Sequence, residues 1–227
     1  FPYLAAKYGG GIFLLVYLIL AITFGFALMC AEISIGRKTG VSAIGAYKKL
    51  DKRFSFIGML AALVPMIILP YYSVIGGWII KYLGVFVTGN MANAATDGYF
   101  ESFIAQPTEP IGWFMLFMGL TALVVLFGVE KGIEKVSKIM MPVLVVLTVF
   151  IAVYSMCMPG AFEGVLYYIT PDFSKFSATT VLSAMGQLFY SMSLAMGIMI
   201  TYGSYMKKDV SIEKSVRQIE IFDTGIA

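Results

Sequence analysis

The sequence predicts an all-α integral membrane protein, and three observations lead to that class. Hydrophobic residues make up 59% of the 227 positions and charged residues only 13%, about half of what a soluble domain of this length carries. The charges fall in clusters separated by long uncharged runs. Those runs have the length that a helix needs to cross a bilayer, about 20 residues.

Five runs qualify: 11–36, 54–88, 110–129, 139–158 and 177–206. Partial spans flank them at 1–10 and 215–227. The chain opens at Phe1 and ends at Ala227 within an apolar stretch, so it reads as a piece of a longer protein with a single transmembrane domain over 1–227. Neither end has the basic start, short apolar core and small-residue cleavage site of a signal peptide.

Loop charges predict the orientation. Arg37, Lys38, Lys48, Lys49, Lys52 and Arg53 follow the first full span, whereas 89–109 has no Lys or Arg and carries Asp97, Glu101 and Glu109. Lys131, Lys135 and Lys138 come next, then a loop with only Lys175, then Lys207, Lys208, Lys214 and Arg217. By the positive-inside rule the basic loops are cytoplasmic, and 89–109 and 159–176 face outward.

Composition also excludes chemistry. Histidine is absent, which removes histidine triads, zincins and imidazole relays. The modest net charge of +3 is split into patches and does not describe a nucleic-acid groove. Cys30 and Cys157 lie inside apolar runs and read as small buried hydrophobes.

Polar residues within the spans are the candidates for function. Lys81 lies about 27 residues, or roughly 40 Å of helix, beyond the basic end of its run, and is expected to snorkel to the outer interface. Glu32 is either a carboxylate near the inner interface or a buried acceptor for backbone donors released by a broken helix. Asp223 lies roughly 9 Å beyond Arg217 by helical rise and should face a cation or a wet cavity. Pro70, with Tyr71 and Tyr72 after it, frees a carbonyl in the second span.

The last full span gathers Gly186, Gln187, Tyr190, Ser191, Ser193 and Gly197 where a lipid-facing helix would be aliphatic. Gln187, Tyr190 and Ser191 share a face; Ser193 does not. Unwinding near 193–197 would let all four converge, with free carbonyls for a cation and free N–H groups for a carboxylate. A close helix contact through small residues accounts for the same composition.

These residues resemble the neurotransmitter:sodium symporter family, the LeuT-fold amino-acid transporters, most closely a prokaryotic member. Phe1-Pro2-Tyr3 to Gly11 is similar to the second half of the family's first helix and the turn after it; Glu32 with Ile35-Gly36-Arg37 to the end of the second. Pro70-Tyr71-Tyr72 resembles the third helix, and Lys131 to Pro142 the inner loop entering the fifth. Thr170 to Lys175 resembles the outer loop before the sixth, and Gly186 to Tyr205 the discontinuous sixth helix itself. The resemblance implies a LeuT-fold helical bundle with discontinuous helices, partial here, from the second half of helix 1 to the start of helix 7.

It also implies roles. Tyr72 matches the tyrosine that meets the substrate carboxylate, with Ile68 one turn before it lining the side-chain pocket. Tyr190 matches an aromatic lid, Gln187 an outer-gate residue, and Ser191 a ligand of the first sodium; Ser193 and Met196 match pocket walls. Glu32 would support the helix break. Asp223 departs from the usual asparagine sodium ligand, and Ala195 from a glycine, a methyl group that should shrink the pocket or stiffen the break. In chloride-dependent members a tyrosine, the gate glutamine, the sodium-facing hydroxyl and a serine hold the anion. Tyr17, Gln187 and Ser191 match three of these, whereas Ala227 stands at the fourth, so Asp223 is expected to supply the counter-charge.

The function implied is sodium-coupled symport of a neutral, hydrophobic or aromatic amino acid across the plasma membrane, a bacterial inner membrane by this resemblance. Na+ is the co-transported ion, chloride is not required and no organic cofactor is expected. Partners are the amino acid, sodium ions and the lipid bilayer, without nucleic acid. The alternative is a non-transporting membrane scaffold or a membrane-embedded enzyme; scattered acids on separate spans and the lack of histidine argue against an enzyme.

Overall fold

A computed structural model describes residues 1–128 and 132–226. Among the described residues thirteen α-helices follow one another: α1 Pro2–Lys7, α2 Gly11–Leu20, α3 Phe26–Thr39, α4 Ala43–Leu50, α5 Ser55–Val87, α6 Met91–Ala94, α7 Tyr99–Ala105, α8 Glu109–Leu126, α9 Glu134–Met156, α10 Ala161–Ile169, α11 Ala178–Ser191, α12 Ile198–Tyr205 and α13 Ile212–Ile226. No strand occurs among the described residues; an isolated antiparallel bridge joins Gly10 and Pro171. Among the described residues four stretches are long and apolar enough to cross a membrane: Gly11–Thr39, Lys52–Val87, Glu109–Leu126 and Glu134–Met156.

Several boundaries differ from the sequence reading for definable reasons. Lys135 and Lys138 are not loop residues: α9 starts at Glu134, whose carboxylate suits a helix N-terminus and pairs with Lys138 at 2.7 Å. The run expected to reach residue 129 ends in helix at Leu126, and Gly128 takes a left-handed φ of 79°; Val129 and Lys131 lie outside the described residues. The outer segments are not plain loops, since 89–109 holds α6 and α7 and 159–176 holds α10. Cys157 is exposed instead of buried, because it falls in the turn after α9; Cys30 is half-buried, and both thiols are free. Pro65 and Pro70 are both accommodated within a continuous α5.

The chain forms two compact units, 1–65 with 145–227, and 66–144. In the first, α11 packs on α2 and α12 packs on α3. Its core holds Phe13, Tyr17, Met29, Leu188, Met192, Leu194 and Val216, each no more than 2% exposed. Glycine sets the α3–α12 distance. A Cβ on Gly36 would sit 1.9 Å from the Ile200 carbonyl oxygen, and one on Gly203 2.4 Å from that of Ile33, so no other residue lets the two backbones approach this far. A third close approach seats α10 over the start of α2, where a Cβ on Gly11 would lie 2.6 Å from the Thr170 carbonyl oxygen, and the Tyr167 hydroxyl donates to the Ala6 carbonyl of α1 at 3.0 Å.

Between α2 and α3 the helix widens into a π-turn, Ala21–Gly25. Such a turn carries one residue more than an α-turn and is frequent at functional sites. The Thr23 hydroxyl donates to the Ile19 carbonyl at 2.6 Å.

The second unit places Lys81 of α5 in an ion pair with Glu109 at the start of α8, with the rings of Phe103 and Trp113 beside the ammonium group. The ammonium group of Lys81 is thus matched by an acid at the end of the 89–109 segment. Gly77 lets α5 approach the α8 backbone, since its Cβ would lie 2.8 Å from the Phe114 nitrogen.

Candidate functional site

The span over 177–206 is not one helix. Ser177 caps α11 through its side chain, accepting from the Thr180 N–H at 3.2 Å. Regular structure stops at Ser191 and resumes at Ile198. Across the gap Ser193 (φ 53°), Ala195 (φ 59°) and Gly197 (φ 69°) are all left-handed. For Ser and Ala this conformation costs about 1 to 2 kcal/mol each, a strain held only where neighbours fix it. The Leu194 N–H reaches back to the Phe189 carbonyl at 3.0 Å, closing a wide loop in place of a helical turn. The first N–H groups of α12 have no intrahelical acceptor and point out of its start.

Glu32 is hydrogen-bonded to the backbone of the gap. Its carboxylate is 5% exposed and its Oε1 accepts from the Ala195 N–H at 2.7 Å, the shorter range of charge-assisted bonds. Its Oε2 is buried without a hydrogen-bond partner among the described residues. Both readings left open by the sequence have a counterpart: regular helix stops over 192–197, and Gly197 closes on α4, where its Cβ would lie 2.6 Å from the Ala43 Cβ.

At the α11 edge of the gap, Ser191, Asp223 and Tyr17 meet. The Ser191 hydroxyl donates to Asp223 Oδ2 at 2.8 Å and the Tyr17 hydroxyl to the same oxygen at 3.3 Å. Three helices, α2, α11 and α13, therefore converge on one carboxylate oxygen. The arrangement is oxygen-only, which suits a hard cation such as sodium and offers nothing to a soft metal. Gln187 lies one turn before Ser191 and is half-buried; Tyr190 is 43% exposed beside it. Ser193 and Met196 are half-buried in the gap itself. Ile68 and Tyr72 lie one turn apart on α5, in the second unit, the first half-buried and the second 47% exposed. Ala227 lies outside the described residues.

Two polar residues of α13 escaped the sequence reading. Glu220 is 9% exposed, with Oε1 unpaired, and the Thr224 hydroxyl is buried and unpaired among the described residues. Glu220 lies three residues before Asp223 and Thr224 directly after it, so the i, i+4 spacing of Glu220 and Thr224 inside the expected partial span was the available signal.

Comparisons with known proteins follow this geometry. The model of the sodium:neurotransmitter symporter family matches residues 1–102 and 100–224. A protein of Bacillus subtilis named an uncharacterized sodium-dependent transporter, YhdH, is 36% identical over 98% of this chain and 51% of its own length. One of Methanocaldococcus jannaschii, also named a sodium-dependent transporter, is 33% identical over the whole of this chain and 48% of its own. The crystal structure of MhsT in complex with L-phenylalanine superposes with a TM-score of 0.91 at 39% identity, over 99% of this chain and 52% of that one. The chain spans about half the length of the curated relatives it matches.

Proposed function

From the premise that this chain belongs to the sodium:neurotransmitter symporter family and has the LeuT fold, we propose that the protein is a sodium-coupled symporter of a neutral, hydrophobic or aromatic amino acid. It is a multi-pass membrane protein, not an enzyme, and it works by alternating access across the plasma membrane with the basic loops inside. The observation that carries the reading is the helix gap at 192–197, held by Glu32 and edged by the Ser191, Asp223 and Tyr17 oxygens. A break of this kind presents half-helix N–H groups to a carboxylate and free oxygens to a cation at one place. Substrate and ion then stabilise the same conformers, which is what coupling requires.

Within that reading the family resemblance assigns Tyr72 to the substrate carboxylate and Ile68 to a pocket wall in one unit, and in the other Ser193 and Met196 to pocket walls and Tyr190 and Gln187 to an outer gate. Ser191 and Asp223 bind the first sodium. The apolar lining favours a hydrophobic side chain, and the L-phenylalanine bound by MhsT supports the same class. Asp223 is both ligand and counter-charge, because opposite charges at about 4 Å are worth about 4 kcal/mol at an effective dielectric of 20; transport is therefore chloride-independent.

Uptake by the full-length protein in proteoliposomes tests this. Wild type should accumulate phenylalanine or leucine with sodium, and retain that uptake when gluconate replaces chloride. Asp223→Asn should need several-fold more sodium for half-maximal uptake. Loss of wild-type uptake without chloride, or an unaltered sodium response in the variant, defeats the assignment to Asp223; no sodium-dependent uptake at all defeats the symport reading.

A further inference from the structure

The inner end of the α3–α13 seam carries a second, differently built site. A cavity of about 410 Å³ opens there, lined by Ser34, Arg37, Lys38, Lys208 and Ile212. Three cations from two chain segments face one space. The juxtaposition is fixed: Arg37 donates through Nη1 to the Val210 carbonyl at 2.7 Å, which ties the end of α3 to the 206–211 turn and brings Lys208 beside it. That bond uses one of the five guanidinium donors and leaves the rest of the fork available. Among the described residues, Lys38 and Lys208 form no side-chain hydrogen bond, and no acid lies within ion-pair distance of either. The nearest acids in sequence are Asp209 and Glu213, and Glu213 is engaged by Arg217 at 3.1 Å.

Like charges repel, and three gathered around a cavity without acids are most stable with an anion between them. A phosphate ester fits the donor set: a guanidinium fork, two ammonium points and the Ser34 hydroxyl. The position selects the carrier of the phosphate. Arg37 follows the apolar body of Gly11–Thr39 directly, so the cavity lies where a membrane-spanning helix meets water. Ile212 gives it one apolar wall. About 16 Å further along the same seam, by helical rise from Arg37 to Phe26, an apolar groove of about 560 Å³ runs between Leu18, Ile22 and Phe26 on one side and Ile221 on the other, with Arg217 and Glu220 also on its wall.

We propose that the cavity is a headgroup site for an anionic phospholipid, with the phosphate among Arg37, Lys38 and Lys208 and an acyl chain directed along the groove. This site is separate from the helix gap and does not depend on the transport reading.

The test uses the full-length protein in neutral detergent, titrated with phosphatidylglycerol, with phosphatidylcholine, or with glycerol 3-phosphate as the soluble headgroup. Binding is read by native mass spectrometry and by the rise in melting temperature. Phosphatidylglycerol should bind in preference to the other two, and more weakly at high salt. Each removed charge should cost about fivefold, so Lys38→Gln with Lys208→Gln should weaken phosphatidylglycerol about 25-fold, while Lys38→Arg with Lys208→Arg, a fold control, retains it. Four results overturn the proposal: equal binding of the two lipids, full binding by the neutral double variant, loss of binding by the folded arginine variant, or glycerol 3-phosphate binding as tightly as the lipid. Failure of Lys38 and Lys208 to react with an amine reagent in the delipidated full-length protein also overturns it, because protein then fills the cavity.

Discussion

Replacing Glu32 by Gln isolates what holds the helix gap. The side chain keeps its size, so the close packing of α3 against α12 is undisturbed, and only the acceptor for the Ala195 N–H changes character. A hydrogen bond to a charged group contributes about 1.5 to 3 kcal/mol and one between neutral groups about 0.5 to 1.5. The substitution should therefore release the Ala195 amide by about 1 to 1.5 kcal/mol, a rise of about five- to tenfold in local opening. Buried Oε2 has no partner among the described residues, so the amide nitrogen that replaces it gains nothing from them in exchange. Hydrogen exchange followed by mass spectrometry on the full-length protein reads this directly: a peptide covering 192–197 should exchange faster by that factor, while α11 should not change. Glu32→Ala should go further, because the N–H is then buried without any acceptor. Unchanged exchange in both variants would mean that Ala195 is held by something other than Glu32 and would refute the argument.

The other predictions concern separate parts of the molecule. Tyr72→Phe should weaken amino-acid binding by about 1 to 3 kcal/mol, the cost of leaving a charged acceptor short of a donor, measured as a roughly 5- to 150-fold higher Kd by scintillation proximity. Gly36→Ala should lower Tm, since its methyl must displace the Ile200 carbonyl and overpacking of this kind costs about 1 to 3 kcal/mol; an unchanged Tm would show the α3–α12 contact to be loose. Asp172, in the outer segment, accepts from the Ser174 N–H at 3.0 Å and its hydroxyl at 2.5 Å, bonds that hold its carboxyl below the ordinary 3.8. A depressed carboxyl stabilises its turn fully above that ordinary value and loses the contribution as pH falls through the depressed one, so the Ser174 amide resonance should move over that acid range in wild type and not in Asp172→Asn.

The class of the protein was legible in the sequence because it rests on composition, whereas composition left the gap as one of two readings and the family resemblance singled it out. Long uncharged runs fix helices that cross a membrane, and Gln187, Ser191, Ser193 and Gly197 are conspicuous where lipid would be. The partnership of Ser191, Asp223 and Tyr17 was not legible from spacing, because the three lie on helices 32 to 206 residues apart in sequence; only resemblance brought them together. The helices within the outer segments were hidden by length, since α7 and α10 are 7 and 9 residues long and short helices draw their stability from packing. Glu220 was hidden for a different reason: counting an apolar run tolerates one acid, whereas burial shows that this one has no solvent to face.

The π-turn at Ala21–Gly25 does not lie at random along its helix. Gly25 stands against Met192, the first residue of the gap, and a Cβ there would come within 3.2 Å of the Met192 sulfur. Below that level α12 is fastened to α3 through Gly36 and Gly203, and above it α11 leans on α2. Two weak joints therefore sit back to back, one in each member of a double rod whose arms are fastened in pairs. Such a rod can flex at the joint with both arm pairs intact. A motion centred there needs no helix to slide along its neighbour, and the irregularity that looks like a flaw in α2–α3 becomes the counterpart of the break it faces.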